Sequence, residues 1–206
     1  MSKRRENVKV QQYTDIFLIR HLMTSLKNYH YTTYAHSIRV ARLTYFVSRK
    51  MGLPKEEQLY NCKGGLLHDI GKILIPISVL DKPQPLSDLE YELVKIHPSY
   101  GAEMLKLLPA LEDLIPAVLY HHERLDGSGY PFGLGIIPLS AQIIGVCDSF
   151  DAMTTKRPYN QNRLKSMHEA IVELKTMPYK YNCKVVEALE EVIKETKGDQ
   201  MYFISL

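Results

Sequence analysis

The sequence predicts an all-α fold, and three observations carry that expectation. Apolar residues recur three and four positions apart through most of the chain. Ser-x-x-Glu capping boxes stand at Ser87/Glu90 and Ser166/Glu169. No stretch alternates long enough to make a convincing strand. With 206 residues, 45% of them hydrophobic, the chain can bury a sizeable core in one domain, or in one domain with a small extension.

Taken in order, residues 1–12 are polar and read as a frayed lead-in. Ile16, Ile19, Met23 and Leu26 fall at helical spacing, which places a first helix from about Thr14 to Tyr29. A second is expected from about Thr33 to Met51, ended by Gly52. Pro54 then opens a third, with Glu56 and Glu57 early, that runs into His68-Asp69 and closes at Gly71. Ile73 to Pro85 holds three prolines and reads as an ordered crossing loop. A helix from Ser87 is expected to end near His97, before Pro98. Further helices are expected over Gly101 to Leu108 and Asp113 to about His122. Glu123 to Pro131 is a loop by its turn residues. Helices from about Ser140 to Met153, from Ser166, and from Val185 to about Glu195 complete the chain. Residues 1–30 form the lead-in and first helix, and residues 31–206 the main domain.

Net charge is only +3, and no basic run appears beyond Lys3-Arg4-Arg5, so duplex nucleic acid is not an expected partner. No apolar run approaches the roughly 18 residues of a membrane span, and the N-terminus lacks the apolar core of a signal peptide. Cys62, Cys147 and Cys183 are scattered, odd in number and outside any Cys-x-x-Cys pair; they read as core thiols in a reducing compartment. A cytoplasmic location is expected. Oligomeric state is left open.

The chain reads as organised around Leu66-Leu67-His68-Asp69-Ile70-Gly71-Lys72. Neutral imidazole and carboxylate both ligate divalent metals. His36 lies upstream; His97, His121-His122 and Asp148 follow. Five histidines and two aspartates exceed what one tetrahedral zinc takes, and they suit two octahedral ions. Two ions about 3.5–4 Å apart can share a carboxylate and a hydroxide nucleophile. Asp69, between the two ligand groups in order, is the expected bridge. Lys72 could hold a phosphate oxygen or protonate the leaving oxygen. Arg157 could grip a second phosphate through its fork. Tyr130 could close over a base or face a partner protein. His21, His30 and His168 read as structural.

His36, His68-Asp69 and Asp148 match the H…HD…D pattern of the HD-domain metal-dependent phosphohydrolases. His97, His121-His122, Asp69-Ile70-Gly71-Lys72, Asp126-Gly127-Ser128-Gly129-Tyr130-Pro131 and Arg157-Pro158-Tyr159 resemble the HD-GYP subfamily. The resemblance runs from about Thr33 to Glu190. It implies a compact HD-domain helical bundle with additional C-terminal helices, and two divalent ions, iron or manganese first. By resemblance, His36, His68, Asp69 and Asp148 hold one ion; Asp69, His97, His121 and His122 hold the other. The implied activity is hydrolysis of cyclic di-GMP to linear pGpG, with onward cleavage to GMP left open. The Gly129-Tyr130-Pro131 loop is the implied site for a protein partner. Two alternatives stand: a phosphohydrolase of another nucleotide, such as a hybrid cyclic GMP-AMP, or a weakly active nucleotide- or partner-binding module. Two positions depart from the pattern. Thr32 stands where one subgroup has a glutamate that helps hold a third ion. Asn160 stands where a basic residue often follows Arg-Pro-Tyr.

Overall fold

A computed structural model describes residues 2–155 and 164–196, with side chains placed from Tyr13 onward. The described residues are helices, short 3-10 turns and loops, with no strand among them. α1 spans Ser2–Tyr29, so the stretch expected to be a frayed lead-in is helical backbone. No glycine or proline interrupts Ser2–Tyr29, and a helix once nucleated extends until something stops it. Ile19, Met23 and Leu26 are buried as expected, but Ile16 faces outward at 61% exposure. Asp15 turns inward instead, 2.8 Å from the Lys63 ammonium.

α2 (Tyr31–Lys50) starts at His30, whose ring Nδ1 accepts from the Thr33 N–H, and ends before Gly52 at φ +74°. His30 also pairs with Asp81 at 3.0 Å, which fits its structural reading. α3 (Lys55–Leu67) follows Pro54 and gives way at His68-Asp69 to a 3-10 turn, Ile70–Leu74. The crossing segment is more regular than expected, because Pro76 caps a short α4 (Ile77–Leu80). Both atoms of the Ser87/Glu90 capping box engage at the start of α5 (Asp88–Lys95).

His97 does not end that helix. It is the first residue of α6 (His97–Lys106), since Pro98 sits in the first turn, where a missing N–H costs nothing. A 3-10 turn (Pro109–Leu114) and a short α7 (Ile115–Leu119) replace the single helix expected to reach His122. α8 (Leu139–Thr154), α9 (Met167–Lys175, opened by the Ser166/Glu169 box) and α10 (Cys183–Glu195) are the additional C-terminal helices.

Two apolar cores flank the centre. One joins α2 to α8, α9 and α10 through Val40, Val47, Phe150, Leu174 and Leu189. The other joins α1, α3 and α6 through Ile19, Leu26, Leu67, Ile70 and Leu105. Each large side chain buried there contributes roughly 1.5–3 kcal/mol, so the elements meeting between the cores are held from both sides. The three cysteines are free; Cys147 is buried, but Cys183, expected in the core, is exposed on the first turn of α10. No described helix is long and apolar enough to cross a membrane.

Candidate metal centre

Seven predicted residues converge where these elements meet. His36 projects from the second turn of α2, and His68 follows the last residue of α3. Asp69 opens the 3-10 turn at φ −100°, ψ 8°. That turn lies hard against the start of α6: a Cβ on Gly71 would stand 2.0 Å from the His97 carbonyl oxygen, so only glycine allows the approach that brings Asp69 to His97. His121 and His122 occupy the turn after α7, and Asp148 comes from α8.

Their ligand atoms form overlapping sets, each within 4.8 Å: His36, His68 and Asp69; Asp69, His97, His121 and His122; and His68, His121 and Asp148. Asp69 belongs to the first two. Its Oδ1 lies 3.1 Å from His97 Nε2, while its Oδ2 lies 3.6 Å from His36 Nε2 and 3.5 Å from His68 Nε2. Asp148 reaches both sides too, with Oδ1 2.9 Å from His36 Nε2 and Oδ2 3.8 Å from His122 Nδ1.

The hydrogen bonds on the outer side of the rings test whether cations fit here. The Nδ1 atoms of His68, His97 and His121 lie 2.9, 2.7 and 2.7 Å from the carbonyls of Gly65, Val94 and Val118. A carbonyl only accepts, so each Nδ1 carries the proton and each neutral ring turns a bare Nε2 inward. Yet His97 and His121 present Nε2 to Nε2 at 3.3 Å, and His68 and His36 at 3.2 Å. Lone pairs at that range, faced by carboxylates, need positive charge between them. Asp69 Oδ1 is buried and has no hydrogen-bond donor. Inward-facing bases with pinned outer nitrogens are the donor set that suits divalent metal ions.

The charge states agree. Burial lowers the basicity of His68, His121 and His122, and neighbouring imidazoles add to it, which keeps these rings neutral. Burial alone would raise Asp69; the Lys72 ammonium, 2.7 Å from Oδ2, is the foremost group opposing it, and the carboxyl is held well below the usual range.

Other predicted residues divide. Lys72 stands beside the cluster, its Nζ 2.7 Å from Asp69 Oδ2, and lines a cavity of 460 Å³ that opens onto His36 and Asp69. Thr32 lines the same cavity. Tyr130 stacks on the His122 ring with centroids 4.5 Å apart. Its loop is fixed by Glu123, whose buried carboxylate accepts from the N–H groups of Phe132 and Leu134, and by Gly129, where a Cβ would meet Glu123 Cα at 2.4 Å. Arg157 and Asn160 lie outside the described residues.

Sequence reasoning missed Asp151 and Arg39. Asp151 is fully buried, accepts from His36 Nδ1 at 2.6 Å, and takes Arg39 through two bonds of 2.7 and 2.9 Å. Burial pushes its pKa up, but His36 and Arg39 bring it down to about 2. The signal was present: Arg39 follows His36 by three, and Asp151 follows Asp148 by three, one helical turn each.

A family model described as HD domain matches residues 20–185. The chain is 38% identical over 191 residues to a cyclic di-GMP phosphodiesterase of Thermotoga maritima, covering 89% of this chain and 51% of that protein. It is 45% identical over 132 residues to a cyclic di-GMP phosphodiesterase of Pseudomonas aeruginosa, covering 63% and 32%. To the 3'3'-cGAMP-specific phosphodiesterase 3 of Vibrio cholerae it is 37% identical over 129 residues, covering 62% and 28%. The chain thus spans about half or less of the length of these relatives. Among solved structures, the HD domain of the L. monocytogenes phosphodiesterase PgpH in complex with cyclic-di-AMP superposes with a TM-score of 0.63 at 18% identity, covering 90% and 98%; the likeness is one of fold.

Proposed function

The chain belongs to the HD domain family, and on that premise we propose that it is a metal-dependent phosphodiesterase of cyclic dinucleotides, of the HD-GYP type. One observation carries the reading: two histidine-rich ligand sets share the carboxylate of Asp69 at the edge of a cavity lined by Lys72. His36, His68, Asp69 and Asp148 would hold one divalent ion, and Asp69, His97, His121 and His122 the other. Imidazole-rich sites with carboxylates suit iron or manganese. When bound, such ions supply a strong nucleophile from water at neutral pH and offset charge building on a phosphoryl group.

The chain's own groups do the rest. The carbonyls of Gly65, Val94 and Val118 fix the tautomer and plane of their histidines. Tyr130 covers one face of His122 and limits how far that ring can turn. Lys72 stands at the cavity wall, where its ammonium holds a phosphate oxygen or delivers a proton to the leaving oxygen. One phosphodiester is positioned at a time, so the first product is the linear dinucleotide, and its further cleavage is slower or absent.

Cyclic di-GMP is the first candidate substrate. The relative named for 3'3'-cGAMP supports a hybrid cyclic dinucleotide as a second. Anaerobically purified, metal-loaded protein should linearise at least one of cyclic di-GMP, cyclic GMP-AMP and cyclic di-AMP, and a chelator should stop it. Metal-replete protein that cleaves none of the three would overturn the proposal.

Lys72→Ala and Arg157→Ala should keep the metal and lose turnover. Each lost charge-assisted contact costs roughly 1.5–3 kcal/mol, about tenfold or more in kcat/KM. Unchanged kinetics would return both residues to a structural role.

A further inference from the structure

The cavity beside the cluster has two unlike walls. α2 and the turn after α3 contribute His36, Arg39, Asp69 and Lys72. The segment from α4 to α5 contributes apolar side chains, among them Val79, Leu80 and Leu86, together with Asp88 and Tyr91. Asp88 and Tyr91 lie three apart on α5, on one face. α5 buries none of its residues, and Tyr91 is 53% exposed, with the Lys95 ammonium 5.6 Å from its ring centre, so a base can stack on the ring face that Lys95 does not cover. Among the described residues no hydrogen bond or ion pair engages the Asp88 carboxylate.

Asp88 lies exposed on the first turn of α5, where water and the helix N-terminus stabilise its charge, so a ligand that displaces that water must offer it hydrogen-bond donors. Guanine supplies two adjacent ones, N1–H and N2–H, spaced to match the two oxygens of a carboxylate. Adenine presents the lone pair of N1 at the corresponding place, which a carboxylate repels. An apolar wall with an exposed aromatic ring suits a purine face.

We propose that Asp88 reads the base: it accepts N1–H and N2–H of a guanine stacked on Tyr91, so the enzyme selects cyclic dinucleotides that carry at least one guanine. This rests on the cyclic-dinucleotide reading above and narrows it. Cyclic di-GMP and cyclic GMP-AMP both enter by a guanine, and cyclic di-AMP is rejected.

Asp88→Asn tests it, because a carboxamide offers one acceptor and one donor, the complement of adenine N6–H and N1. Asp88 is exposed on the first turn of its helix, so the isosteric change leaves the fold in place. Equilibrium binding of cyclic di-GMP and cyclic di-AMP to metal-loaded protein is measured, with kcat/KM for each expressed relative to bis(p-nitrophenyl) phosphate, which has no purine. Wild type should favour the guanine ligand by about tenfold or more, and Asp88→Asn should lower that ratio by about tenfold or more. Tyr91→Ala should weaken both ligands by similar factors and leave the ratio alone, since stacking tolerates either purine. A wild-type ratio near one, or the same ratio in Asp88→Asn, overturns the assignment, as does failure to bind either nucleotide. Should the binding ratio shift as expected while nothing is hydrolysed, the base-reading role of Asp88 stands and the phosphodiesterase reading falls.

Discussion

Asp69→Asn is expected to strip most of the metal and nearly all hydrolysis from the protein while leaving its helices in place. Asp69 is the residue common to the two ligand sets, with one oxygen near His97 and the other near His36 and His68. An amide of the same shape keeps one carbonyl oxygen but replaces the other with an N–H donor, aimed at ring nitrogens or an ion. It also removes the negative charge that balances a divalent cation in a mostly buried site. The backbone has no such dependence on the carboxylate, because Gly71 and the packing of Ile70 hold the turn. Metal content, turnover and far-ultraviolet circular dichroism on one preparation check this. Full metal content with normal turnover would remove Asp69 from the centre.

Asp151→Ala should have the next largest effect, and on two quantities at once. Asp151 orients His36 through Nδ1 and neutralises Arg39, with both of its oxygens engaged. Losing the partner of a ligating histidine typically costs about 10–100-fold in metal affinity. Breaking a buried ion pair costs roughly 3–5 kcal/mol, and the lower end applies here because the Arg39 side chain keeps 20% exposure. Chelator competition reads the first effect, and denaturant unfolding of the metal-free protein reads the second. A destabilised variant with wild-type metal affinity would confine Asp151 to the packing of α2 against α8.

The site was more legible in the sequence than the helix ends were. His36, His68-Asp69, His97, His121-His122 and Asp148 announce themselves by residue type, and all seven converge. His97 was misplaced from the end of one helix to the start of the next, because Pro98 reads equally as a stop signal and as a first-turn residue. Ile16 obeys the helical period yet faces outward, while Asp15 turns inward to Lys63; that choice is made by tertiary pairing, which no local pattern records. Asp151 and Arg39 were missed because Asp151 bonds to His36 and Arg39 to Asp151, outside the set of candidate ligands, so spacing to the metal motif was their only trace.

The central claim is a two-ion centre, and anomalous scattering from metal-loaded crystals tests it most directly. A third hard ion would need further anionic oxygen ligands to balance its charge. Thr32, one turn before His36, offers only a neutral hydroxyl, and Glu123 is taken up by the N–H groups of Phe132 and Leu134. Two peaks per chain are therefore expected. One should be bounded by His36, His68, Asp69 and Asp148, and the other by Asp69, His97, His121 and His122. A single peak, or a well-occupied third beside Thr32, would contradict the account.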